Sequence, residues 1–92
     1  MKRTLLSTIA GLSLVVTNAA WAAVFSINVQ NFAYTPSPIS INIGDTVTWT
    51  NHDGATHSTT ENNNAWASDL NPGSSFSFTF NNPGTYNYFC RF

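Results

Sequence analysis

Charge is scarce in this chain. Only 8% of its 92 residues are Asp, Glu, Lys or Arg, and the three cations are Lys2, Arg3 and Arg91. Binding a polyanion requires clustered Lys and Arg to displace counterions from phosphates, so nucleic acid is excluded as an expected partner. Cysteine and methionine are scarcer still, one each, as Cys90 and Met1, so no intrachain disulfide framework is possible. Paired carboxylates, a nucleophile with an adjacent base and a Gly-rich phosphate loop are all missing, which argues against an enzyme or a small-molecule substrate. At this length a second domain or a repeat array is also excluded.

The chain is rich in apolar surface: 42% of it is hydrophobic and 14% aromatic, with three Trp and seven Phe. A disordered segment has too little apolar surface to offset its ordering entropy; this chain has enough for a core. Met1-Lys2-Arg3, an apolar stretch from Leu5 to Val16 and Ala20-Trp21-Ala22 have the layout of a secretory signal peptide with a small-residue cleavage site. Ser7, Thr8, Gly11, Ser13 and Thr17 interrupt the apolar stretch, which falls short of the roughly 20 residues that span a bilayer. Residues 1–22 are therefore expected to be a leader, and residues 23–92 a single exported domain, in the periplasm and without membrane insertion after cleavage. In that oxidising compartment a lone cysteine is an intermolecular disulfide partner, an inert buried thiol or a metal-bound thiolate.

Apolar and polar residues alternate in five segments, Phe25–Val29, Ile39–Ile43, Val47–Trp49, Phe76–Phe80 and Tyr86–Cys90. Period two marks half-buried strands, and no segment has a helical period. Between them lie Thr35-Pro36-Ser37-Pro38, Ile43-Gly44-Asp45, Asn71-Pro72-Gly73 and Asn81-Asn82-Pro83-Gly84, whose Pro and Gly suit tight turns. The pattern predicts an all-β antiparallel sandwich. Asn51 to Ser75 reads instead as a long loop with at most a short strand at Ser58 to Thr60, pinned to the sandwich by Trp66 and Leu70. Loops beyond about 12 residues are uncommon unless functional. This one holds both histidines, His52 and His57.

A thiolate and imidazoles are the donor types of a copper electron-transfer site, although a lone histidine in a polar loop is more often merely solvated. The run Ile41-Asn42-Ile43-Gly44-Asp45-Thr46-Val47-Thr48-Trp49-Thr50-Asn51, then Asp53 and His57, then Pro72-Gly73, Phe76 to Phe80, Pro83-Gly84-Thr85-Tyr86 and Tyr88-Phe89-Cys90 resembles the plastocyanin/azurin family of cupredoxins over nearly all of residues 24 to 90. The resemblance implies a Greek-key β-sandwich and a blue-copper site cycling between Cu(I) and Cu(II), with His57 and Cys90 as metal ligands. It also implies transient protein redox partners. In the family a second His follows the cysteine after two residues, then an axial Met and a final strand. Here Arg91 and Phe92 fill that gap, so the expectation is an incomplete copper site, a fragment of a sandwich lacking its final strand, and an unfilled slot on the neighbouring strands. His52 is expected to face solvent. Ser58 is expected to hydrogen-bond to the cysteine loop, and Thr56 stands where the family often places Pro or Gly. Two other readings remain, a copper-binding or copper-handling protein without shuttle activity and a metal-free structural sandwich.

Overall fold

The computed structural model describes residues 12–17 and 22–92. The charged start Met1-Lys2-Arg3 and most of the expected cleavage site lie outside these residues. Among the described residues there are nine strands and no helix: β1 (Leu12–Thr17), β2 (Val24–Gln30), β3 (Ala33–Thr35), β4 (Ile39–Asn42), β5 (Thr46–Asn51), β6 (His57–Glu61), β7 (Ala67–Leu70), β8 (Ser75–Thr79) and β9 (Gly84–Phe89). The five segments of alternating hydrophobicity are all present, as β2, β4, β5, β8 and β9.

One sheet runs β4-β1-β9-β6-β7 and the other β3-β2-β5-β8. Most pairs are antiparallel, but β1 with β4 and β2 with β5 are parallel, so both sheets are mixed. Strand β5 shows how the sequence builds the layers. Val47, Trp49 and Asn51 point inward and are fully buried. Thr46, Thr48 and Thr50 face outward and meet Thr79, Ser77 and Ser75 of β8 through hydroxyl pairs at 2.7, 2.7 and 2.8 Å. The core joins Leu14, Val16, Ile27, Ile41, Trp49, Trp66, Leu70, Phe80 and Tyr88. Its rings pack in tilted and edge-to-face pairs, Trp49 to Trp66 at 5.3 Å and Trp49 to Tyr88 at 5.4 Å, geometries that the ring quadrupoles favour. The β4–β5 turn needs Gly44, whose φ of 93° suits a residue without Cβ. Its neighbour Asp45 is buried, with its carboxylate accepting from the amides of Ala23 at 2.7 Å and Asn42 at 2.8 Å.

Two regions differ from the sequence reading. Residues 51–75 are not mainly loop, since β6 and β7 form a hairpin in register from His57 opposite Leu70 to Thr60 opposite Ala67. Trp66 and Leu70 are buried as expected. The expected open slot is filled: β1, taken from the apolar stretch of the expected leader, lies between β4 and β9. Leu14 sits opposite Ile39 on one side and Tyr86 on the other, and Ser13 to Val16 are all buried. An apolar run of strand length with two β-branched valines satisfies the pairing groups of both neighbours and closes the core, which is the physical reason it fits there.

Candidate metal centre

His57 opens β6, and Cys90 lies one residue beyond the end of β9. These two strands pair with Thr60 opposite Phe89 and Glu61 opposite Tyr88. Continuing that antiparallel register by two positions brings Ser58 beside Arg91, and the Arg91 amide donates to Ser58 Oγ at 2.9 Å. The bond fastens the histidine strand to the cysteine segment, as expected for Ser58. The same register brings the two candidate ligands together, with Cys90 Sγ 3.8 Å from His57 Nδ1. A thiolate sulfur and an imidazole nitrogen this close together could both hold one ion. The soft sulfur and imidazole donors suit copper, and their spacing fits one shared ion.

The histidine is 4% exposed and is held from three sides. Phe32 presents its ring edge-on at 4.9 Å and Tyr34 at 6.5 Å. On the side away from Cys90, His57 Nε2 lies 2.9 Å from Asp53 Oδ2. The loop that carries Asp53 is shaped by Asn51, the buried end of β5. Its Nδ2 donates to the carbonyls of Ala55 at 2.7 Å and Leu70 at 2.8 Å, and its Oδ1 accepts from the Asp53 amide at 2.8 Å. The Tyr34 hydroxyl donates to the Ser58 carbonyl and lies near Cys90.

Titration follows from these contacts. Burial pushes the Cys90 thiol up, but the Phe92 amide, the His57 ring when it carries both protons, and the neighbouring Tyr34 hydroxyl outweigh it and bring it down from 9.0 to about 7. Burial alone would lower His57, yet its bonds to Cys90 and Asp53 hold it above the usual histidine range. Asp53 is held below the usual carboxylate range, chiefly by the Phe32 amide, with the Asn31 amide and His57 adding to it. Burial raises Tyr34 well above an ordinary phenol.

Sequence reasoning singled out His57 and Cys90 and did not identify Asp53 as part of the site. The only sign of it was a carboxylate four residues before the histidine in a turn-rich stretch. His52 is exposed, with Nε2 3.3 Å from Asn28 Oδ1, away from the site. No group of three or more His, Cys, Asp or Glu side chains converges on one point among the described residues. Asp53 touches the far side of the imidazole, not the space between ring and sulfur.

A family model described as a cupredoxin-like domain matches residues 4–92. Plastocyanin of Scenedesmus fuscus is 35% identical over 70 residues, covering 63% of this chain and 71% of that protein. Chloroplastic plastocyanin of Tetradesmus obliquus is 29% identical over 95 residues, covering 90% of this chain and 66% of its own length. No solved structure matches. With a two-sheet β fold, a histidine and a cysteine meeting at one end of a strand pair and a family match over almost its whole length, the chain belongs to the cupredoxin-like domain family.

Proposed function

We propose that the chain is an exported, periplasmic one-electron carrier that holds copper between His57 and Cys90 and passes electrons between transient protein partners. The single observation that carries the reading is the 3.8 Å approach of Cys90 Sγ to His57 Nδ1, a sulfur and a nitrogen at the separation one ion can bridge. Copper bound there would supply a one-electron couple. The protein's own groups do the rest. Register fixes the two donors, the Phe92 amide and the His57 and Tyr34 side chains favour the thiolate over the thiol, and Phe32 and Tyr34 cover the imidazole. Rigidly held donors limit rearrangement between oxidation states, which favours fast transfer over catalysis. The two plastocyanins support the electron-carrier class. Export rests on the leader-like residues 1–22, with Ala23 as the first residue of the mature chain; cleavage there removes β1, which belongs to the uncleaved 92-residue chain.

The test is to add Cu(II) to the purified chain and record its visible spectrum. An intense thiolate-to-copper charge-transfer band that disappears in both Cys90→Ser and His57→Ala supports the carrier. A copper-handling protein is the second reading, favoured by the convergence of only two donors among the described residues. It predicts a colourless chain that retains Cu(I). Copper uptake unchanged in His57→Ala would reject both. Mass spectrometry of the periplasmic fraction tests export, with a chain starting at Ala23 as the expected species.

A further inference from the structure

Asp53 is fixed more firmly than a loop carboxylate needs to be. Its Oδ1 accepts from the Asn31 amide at 2.7 Å and its Oδ2 from the Phe32 amide at 2.9 Å. Asn31 and Phe32 form the two-residue turn between Gln30 and Ala33, which pair at the end of the β2–β3 hairpin. Both have positive φ, 55° and 58°, as a tight hairpin turn of the primed type requires. Such backbone suits Asn but is rarely adopted by a bulky Phe, and conformations of this kind persist where the surroundings over-determine them. Here two successive amides converge on one carboxylate, and that carboxylate faces His57 Nε2 at 2.9 Å.

A neutral imidazole has one ring proton and two nitrogens to place it on. Two acceptors compete for it, Asp53 Oδ2 at 2.9 Å and Cys90 Sγ at 3.8 Å. The first distance is the commonest for N–H···O, and a carboxylate is a strong, charge-assisted acceptor. The second is long even for sulfur, so the oxygen wins the proton.

We propose that Asp53, clamped by the Asn31-Phe32 turn, is a positioning residue that keeps the one proton of the neutral His57 ring on Nε2 and leaves Nδ1 as a bare lone pair facing Cys90. Its consequence for the metal rests on the reading of His57 as a ligand, whereas the tautomer itself does not. Without the carboxylate, the sulfur is the remaining acceptor, and a proton drawn onto Nδ1 occupies the lone pair that a metal needs. Partners of this kind orient the ring and raise its basicity as a ligand.

Long-range proton–nitrogen NMR correlations of His57 in the metal-free full chain, at alkaline pH, test the assignment. The wild type is expected to show a protonated Nε2 and an unprotonated Nδ1. Asp53→Ala should move the populations toward Nδ1–H. Asp53→Asn, whose amide oxygen still accepts from Nε2, should stay near the wild type. A wild-type proton on Nδ1, or an Ala variant indistinguishable from wild type, overturns the proposal, and the wild-type spectrum decides alone if the Ala variant does not fold. Titration with Cu(I) alone reads the consequence, an expected loss of about 10- to 100-fold in affinity for Asp53→Ala. Unchanged affinity alongside a shifted tautomer breaks the link to metal binding. A wild type that takes up no Cu(I) removes the ligand reading and leaves the tautomer result standing.

Discussion

Replacing Leu14 by alanine in the full 92-residue chain measures how much of the fold rests on β1. Leu14 is completely buried, paired with Ile39 of β4 and Tyr86 of β9 and part of the central core cluster. Truncating a fully buried leucine costs about 2–5 kcal/mol, the transfer free energy of the lost methyl groups plus the cavity left behind. A small domain has about 5–15 kcal/mol in all, so this one side chain accounts for a large fraction of the total. At about 4–8 °C per kcal/mol for a domain of this size, the midpoint of thermal unfolding should fall by at least about 8 °C.

The assay is urea denaturation followed by tryptophan fluorescence, since Trp49 and Trp66 are both buried and report on the core. The denaturation midpoint should drop with little change in slope, because nearly the same surface is exposed on unfolding. Val24→Ala is the control. Val24 is 71% exposed, and surface changes of that kind stay within about 0.5 kcal/mol. If Leu14→Ala proves as silent as Val24→Ala, β1 is not seated between β4 and β9 and the closed five-stranded sheet is wrong.

Alkylation of Cys90 should reach half its maximal rate near pH 7, and His57→Ala should move that midpoint up by removing a hydrogen bond that favours the thiolate. Because the folded thiol titrates below its ordinary 9.0, its contribution to stability is present in full above pH 9 and is lost as pH falls through about 7; denaturation of wild type against Cys90→Ala across that window reads it. Asn51→Ala removes three hydrogen bonds at a fully buried position, leaving two carbonyls and an amide to find other partners. The expected loss is about 2–4 kcal/mol by urea denaturation, together with a weakened Asp53–His57 contact visible in the His57 NMR signals. Tyr34→Phe takes away the hydroxyl that donates to the Ser58 carbonyl and favours the Cys90 thiolate, so it should cost about 1 kcal/mol and raise the alkylation midpoint of Cys90.

The half-buried strands were legible because one face of each meets the core while the other meets solvent. In β5 the inward Val47 and Trp49 and the outward threonines are read directly from the letters. Strand β6 was legible only as a short strand at Ser58 to Thr60, because His57-Ser58-Thr59-Thr60-Glu61 is polar yet buried along its whole length. Its burial depends on partners that lie elsewhere in the sequence. Trp66 Nε1 donates to Thr59 Oγ1 at 2.8 Å, and Glu61 Oε1 accepts from the amides of Asn63 at 2.8 Å and Ala65 at 3.0 Å. Satisfied in this way, polar residues enter the interior without the usual penalty, and no pattern along the chain shows it. Strand β1 was masked for the opposite reason, since the apolar stretch that suits a leader also suits a central strand. At the site, residue type pointed to His57 and Cys90, but Asp53 became visible only once the Asn31-Phe32 turn was seen to hold it.

The centre depends on strand register more than on the identity of any one loop. His57 and Cys90 are 33 positions apart in sequence, and only the pairing of Thr60 with Phe89 and Glu61 with Tyr88 brings them to the same end of the sheet. A slip of one residue would turn the side chains of β9 to the opposite face and carry Cys90 away from the imidazole. Several independent contacts resist that slip. Tyr88 is wedged against Trp49 and Tyr34 in the core, the Arg91 amide is fixed on Ser58, and β1 grips the far edge of β9 through five paired positions. Burial pushes the Tyr88 hydroxyl up to about 12, so it stays neutral in the core. In the uncleaved chain the strand that fills the slot therefore supports the site at a distance: by holding β9 from the side opposite β6, it helps to hold the sulfur 3.8 Å from the imidazole.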